Sequence, residues 1–119
     1  ARSAGWYAQL LGMRQTYDHT SDDGCMRYIC LVEPRSELVL CLVGHAANPG
    51  EEFSEFRTGL DHLEFVVARR DDLVEWAHRL DEMGVEHSGV KELDYTPNAM
   101  LTFRDPDNIQ LELFAPPAS

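Results

Sequence analysis

Two stretches decide the fold: Gly59-Leu60-Asp61-His62-Leu63-Glu64-Phe65-Val66-Val67, and Phe103-Arg104-Asp105-Pro106-Asp107-Asn108-Ile109-Gln110-Leu111-Glu112-Leu113-Phe114. In the first, Leu63, Phe65 and Val67 alternate with His62, Glu64 and Val66, the period of a strand with two unlike faces. In the second, Glu112 lies between Leu111 and Leu113, so its carboxylate faces the other way. A lone ionised carboxylate in a dry core is unfavourable, and a solvated or metal-bearing face explains it better. Each strand therefore carries one metal-type ligand, His62 or Glu112. Asp105-Pro106-Asp107-Asn108 supplies the Pro and Asx residues of a tight turn before the last strand.

Between these ends the period changes from two to 3.6. Leu73, Trp76, Ala77, Leu80 and Met83 share one helix face, Asp71 or Asp72 can cap its start, and Gly84 stops it. Strands are expected near 85–90, 99–104 and 109–114. Upstream, Trp6, Tyr7, Leu10, Leu11 and Met13 fall at helical spacing, with Gly12 as terminator, which gives a helix over about 2–12. Residues 14–18, 25–33 and 37–44 then read as three strands joined by polar turns. Residues 46–58, with Asn48-Pro49-Gly50 and few large apolar side chains, form a connection. The chain is read as a single domain of two modules, 1–45 and 59–119.

The two modules repeat. Trp6, Leu10 and Met13 match Trp76, Leu80 and Met83 at an offset of 70, and Leu38 to Val43 overlie Ile109 to Phe114 at one residue more. Cys41 is thus the counterpart of Glu112. The same offset carries His62 to eight places before a notional zero, so the strand equivalent to 62–67 falls outside these residues. We expect the sequence to be part of a longer protein, because a module lacking its leading strand would leave unpaired backbone.

Composition sets broad limits. A chain of 119 residues, 44% apolar, suits one domain with a genuine core. With 21 acidic and 10 basic residues the net charge is −11, which disfavours nucleic acid and anionic membranes as partners. No apolar run approaches the roughly 20 residues of a membrane span. Cys25, Cys30 and Cys41 have no C-x-x-C spacing and read as reduced, mostly buried thiols of a cytoplasmic protein. No phosphate loop, nucleophile elbow or H-E-x-x-H motif is present.

Together, Ser3, Trp6-Tyr7 and Leu10-Leu11-Gly12-Met13 of the first helix, Gly59-Leu60-Asp61-His62, and Asp105-Pro106-Asp107 before Leu111-Glu112-Leu113 resemble the vicinal oxygen chelate superfamily of glyoxalases, bleomycin resistance proteins and extradiol dioxygenases. The resemblance implies an α+β fold of two βαβββ modules forming a curved cup, the first lacking its leading strand here. It also implies a divalent metal, zinc, nickel, manganese or iron, held by His62 and Glu112. A third ligand would lie on the absent strand, and the fourth position falls on Cys41, where the glyoxalase pattern has a carboxylate. On residue chemistry alone, imidazole and carboxylate on separate strands suit those same metals. Glu64, sharing a face with His62, is the acid/base candidate or a solvated rim group. Cys41 and His45, of equal parity, and Gln110, in register with Glu112, are the substrate-pocket candidates. Trp6 and Trp76 read as core residues.

The expected function is metal-assisted isomerase, lyase or dioxygenase chemistry on a small oxygenated metabolite, in a homodimer. The alternative is a metal-free binding protein of the bleomycin resistance type, which sequesters its ligand. A cup lined mainly by aromatic and apolar side chains, with His62 hydrogen-bonded directly to Glu112, would favour the second.

Overall fold

A computed structural model describes residues 2–94 and 96–117. The fold is α+β and divides into two compact units, residues 1–52 and 53–119. Among the described residues no helix is long and apolar enough to cross a membrane.

The first unit contains α1 (Arg2–Leu11), β1 (Arg14–Thr20), β2 (Met26–Val32) and β3 (Val39–His45). Ala4, Tyr7, Leu10 and Met13 bury one stripe of the helix, as the 3.6 period requires. Gly12 adopts φ 64, the left-handed conformation that ends a helix at little steric cost, and the Met13 amide donates back to the Ala8 carbonyl at 3.0 Å. The strands form an antiparallel sheet of order β1-β2-β3. Its register shifts between Gln15 and Tyr17, where Thr16 is the extra residue and donates its hydroxyl to the Cys30 carbonyl. Ile29 and Leu31 are buried on one face of β2. Cys30 and Cys41 point to the other face. The expectation of mostly buried thiols is therefore corrected: Cys25 and Cys41 are exposed and Cys30 is half-buried, because parity places the strand thiols opposite Ile29 and Leu31 and Cys25 lies on the hairpin.

The second unit contains β4 (His62–Val66), α2 (Arg70–Glu82), β5 (Lys91–Glu92), β6 (Ala99–Arg104) and β7 (Gln110–Ala115), with sheet order β4-β7-β6-β5. Among the described residues, β4 and β7 form the one parallel pair. A right-handed crossover through α2 is the usual way to bring a first strand beside a parallel partner. Leu73 and Leu80 of α2 are fully buried, as are Leu101, Leu111, Leu113 and Ala115 on one sheet face. Trp6 and Trp76 are only half-buried. Trp76 carries Arg79 over its ring at 5.7 Å and so faces the boundary of the core. The helix cap also differs from expectation: Arg69 is the N-cap, and Asp72, three residues on, accepts the Arg69 amide at 2.9 Å.

The expected strand at 85–90 is reduced to a single bridge, His87 to Phe103, and the regular pairing appears at β5. Ser88 is the cause. Its hydroxyl accepts the Thr102 amide at 3.0 Å where a main-chain carbonyl would serve, and Gly89 follows at φ 71, which ends the ladder.

The β6–β7 turn is built by Asp105, which is buried. Its Oδ1 accepts the amides of Asp107 and Ile109 at 2.8 and 2.9 Å, and Asn108 takes the left-handed position at φ 68. Phe53 is tied to this turn by its amide to the Asp107 carbonyl and by the Asn108 side-chain amide to its own carbonyl. Glu55 pairs with Arg104 at 3.2 Å. These bonds explain why the second unit starts at Phe53, ahead of β4.

Candidate metal centre

The parallel register of β4 and β7 sets the site. His62 lies beside Gln110 and Glu64 beside Glu112, and the antiparallel partner of Glu112 is Thr102 on β6. Leu63, Leu111 and Leu113 take the opposite parity. One sheet face of the second unit thus presents two polar rows, His62-Gln110-Arg104 and Glu64-Glu112-Thr102.

Within these rows His62, Glu64 and Glu112 each offer one ligand atom, and the three atoms lie within 4.8 Å of one another. Donors sharing one first-row ion at about 2.0–2.2 Å are at most about 4.4 Å apart, so small side-chain adjustments suffice. The donor chemistry fits as well. Two carboxylates abreast on neighbouring strands repel, and Glu112 is 8% exposed. A divalent cation between them and the imidazole would relieve that repulsion.

The neighbours aim the donors. The Asp61 carboxylate lies 2.7 Å from His62 Nδ1. A carboxylate can only accept, so Nδ1 carries the hydrogen and Nε2 is the nitrogen that could hold a metal. Nε2 lies 3.6 Å from Glu112 Oε2, too far for a hydrogen bond. Glu112 Oε1 accepts the Gln110 side-chain amide at 2.6 Å, which leaves Oε2 turned toward His62. The His62 pKa is raised above its ordinary 6.5, first by the Asp61 hydrogen bond and then by the Glu112, Asp61 and Glu64 charges, with partial burial opposing.

The structure therefore brings His62, Glu112, Glu64 and Gln110 together. Glu64, expected as an acid/base, stands among the donors, and Gln110, expected as a substrate contact, holds Glu112. Cys41 and His45 share a face of β3 in the first unit, where both are exposed, opposite Cys30 and Met26. Asp61 had no role assigned from the sequence; a carboxylate beside a ligand-type histidine, just outside the strand, was the available signal. Asp61→Asn is expected to weaken divalent metal binding by about 10–100-fold, because the amide can donate and no longer fixes the tautomer. Titration of variant and parent with Mn(II) measures it, and equal affinities would remove Asp61 from the site.

A βαβββ unit with its first and last strands parallel carries imidazole and carboxylate groups that could hold a metal on that pair. The family model of the glyoxalase/bleomycin resistance protein/dioxygenase superfamily matches residues 1–113, and the chain belongs to that superfamily. Among solved structures, the glyoxylase/bleomycin resistance protein/dioxygenase domain from Frankia sp. EAN1pec is 31% identical, with a TM-score of 0.84 over 97% of this chain and 82% of that one. The glyoxalase family protein from Enterococcus faecalis is 23% identical, with a TM-score of 0.75 over 95% and 86%. The fosfomycin resistance protein FosX from Listeria monocytogenes, complexed with Mn(II) and sulfate, is 15% identical, with a TM-score of 0.64 over 96% and 80%. The last two likenesses concern the fold. No curated protein matches the chain.

Proposed function

We propose that the chain belongs to a metal-dependent enzyme acting on a small oxygenated metabolite, by isomerase, lyase or dioxygenase chemistry, with His62, Glu64 and Glu112 as metal ligands. The observation that carries this reading is the convergence of those three donors, with Asp61 on the far nitrogen of His62. When bound, a divalent ion would polarise neighbouring substrate oxygens and stabilise the negative charge that develops on them. The protein's own groups do the rest. Asp61 holds the proton of the neutral imidazole on Nδ1, so that Nε2 is the nitrogen presented to a metal, and Gln110 fixes the buried carboxylate. Glu64, the exposed member, is the group able to swing away and accept a substrate proton.

One imidazole and two carboxylates make an oxygen-rich set suited to manganese, iron, zinc or nickel. The presence of Mn(II) in FosX makes that ion a reasonable first probe. His62 and Glu112 stand 3.6 Å apart, without the direct hydrogen bond that is one of the two expected marks of the metal-free binding reading.

The test is calorimetric titration of the chain with Mn(II) and Zn(II), beside His62→Ala. Stoichiometric binding is expected, weakened at least about a hundredfold in the variant. Affinity should also fall as the pH is lowered, because a proton competes for Nε2. The sign follows from the raised pKa: without metal, the protonated imidazole adds stability below the ordinary histidine range, and this is lost as the pH rises through the raised value. Metal binding gains over that same rise. No stoichiometric binding of either ion by the parent, or equal affinity in His62→Ala, would overturn the metal assignment and leave ligand sequestration as the better reading.

A further inference from the structure

Cys30 and Cys41 are opposite one another in the antiparallel register of β2 and β3. The hydrogen bonds at the two ends of this ladder show which kind of pair they form. The Glu33 amide donates to the Leu38 carbonyl at 2.9 Å, and the Ala46 amide to the Cys25 carbonyl at 2.8 Å. Both pairs continue the register of Val32 with Val39 and Met26 with His45. Pairs that exchange backbone hydrogen bonds alternate with pairs that do not, so odd-numbered positions of β2 are bonded and even-numbered ones are not. Cys30 is therefore at a non-hydrogen-bonded site. There the Cα atoms of opposed residues are about 4.5 Å apart and their side chains are closest. That lies at the short end of the roughly 4.4–6.8 Å spanned by disulfides.

We propose that Cys30 and Cys41 form a two-electron redox modification site, at which a hydroperoxide converts the dithiol to a cross-strand disulfide. Cys41 is exposed and Cys30 half-buried, so the peroxide reaches Cys41 first. The hydrogen bond to Cys41, with lesser help from burial, raises the Cys30 pKa, so Cys30 keeps its proton and donates it toward Cys41 Sγ. Attack of the Cys41 thiolate on the peroxide breaks the O–O bond, forms Cys41 sulfenic acid and releases an alkoxide, or hydroxide from hydrogen peroxide, which takes up the proton that the Cys41 thiol gave to solvent. The Cys30 sulfur then attacks the sulfenic sulfur, forming the S–S bond and expelling water with the Cys30 proton. The two thiols lose two electrons and the peroxide gains them. A disulfide at so short a span is strained and open to reduction by an exchanging thiol, so the step is reversible. Cys25, on the β1–β2 hairpin, has no thiol opposite it in either ladder.

The test treats the reduced chain with hydrogen peroxide and counts thiols before and after dithiothreitol. The free thiols are expected to fall from three to one, reversibly, with the intact mass lower by two hydrogen atoms and a tryptic peptide pair joining Cys30 to Cys41. Cys25→Ser should behave identically with one thiol fewer. Cys30→Ser should accumulate a sulfenic acid at Cys41 that dimedone traps, and Cys41→Ser should accumulate less at Cys30, which is half-buried where Cys41 is exposed. Three thiols surviving peroxide, a bridge that includes Cys25 or joins two chains, or dimedone labelling at Cys30 in Cys41→Ser to the same extent as at Cys41 in Cys30→Ser would each overturn the proposal.

Discussion

Glu112→Gln is expected to lose divalent metal binding by at least about a hundredfold while leaving the metal-free fold as stable as the parent or more so. Glu64 and Glu112 are side by side on parallel strands, and Glu112 is buried. Without a cation, two adjacent like charges destabilise a sheet by some tenths of a kcal/mol to about 1 kcal/mol. Glutamine removes one charge and keeps the shape. Its carbonyl still accepts the Gln110 amide, and its own amide can donate toward Glu64. With metal the order reverses. An ion at a hundred times its Kd stabilises the parent by about 2.7 kcal/mol, and the variant gains almost nothing. Urea unfolding of both proteins, with and without Mn(II), measures all four values. A variant destabilised by more than about 2 kcal/mol without metal, with unchanged metal affinity, would make Glu112 a structural carboxylate.

Most of the fold is legible in the sequence because hydrophobic period and turn chemistry agree. Both helices end at the glycines that take positive φ, and Leu10 and Leu80, paired by the repeat, are both fully buried. Val39 and Gln110, paired at the offset of 71, both open a strand. His62 and Glu112 are legible as ligand types because each breaks the apolar pattern of its strand. The losses have physical causes. Placing Glu64 among the donors requires the parallel register of β4 and β7, a pairing between residues 48 apart that no local period encodes. Asp61 would point away from His62 on a regular strand, but it precedes β4, where alternation does not bind it. Ser88 breaks a strand through its hydroxyl, and such competition depends on a partner, Thr102, that is distant in sequence. The thiols were misread because an apolar strand signals burial without saying which face is covered.

Leu80→Ala is expected to produce the largest loss of stability of any single substitution considered. Leu80 is on α2, has no exposed surface, and lies over the sheet face that carries Leu101, Leu111 and Leu113. Removing its three outer carbons loses their transfer free energy and leaves a cavity whose rim is fixed by a rigid sheet, so relaxation is limited. The expected loss is about 3 kcal/mol, within the 2–5 kcal/mol range of buried leucine truncations. That is a large part of the roughly 5–15 kcal/mol available to a whole domain, and a chain of this size should lose about 10–15 °C in Tm. Val74 on the same helix is 38% exposed, and Val74→Ala should stay within about 0.5 kcal/mol. Helix propensity cannot account for the difference, because alanine is the better helix former at both positions. Thermal unfolding by circular dichroism compares the two. Below its melting temperature Leu80→Ala should still bind Mn(II) with parental affinity, because His62, Glu64 and Glu112 face the side of the sheet away from α2. A fall in affinity as large as that of Glu112→Gln would mean that packing under the helix sets the donor geometry, and that the two faces of the sheet are not independent.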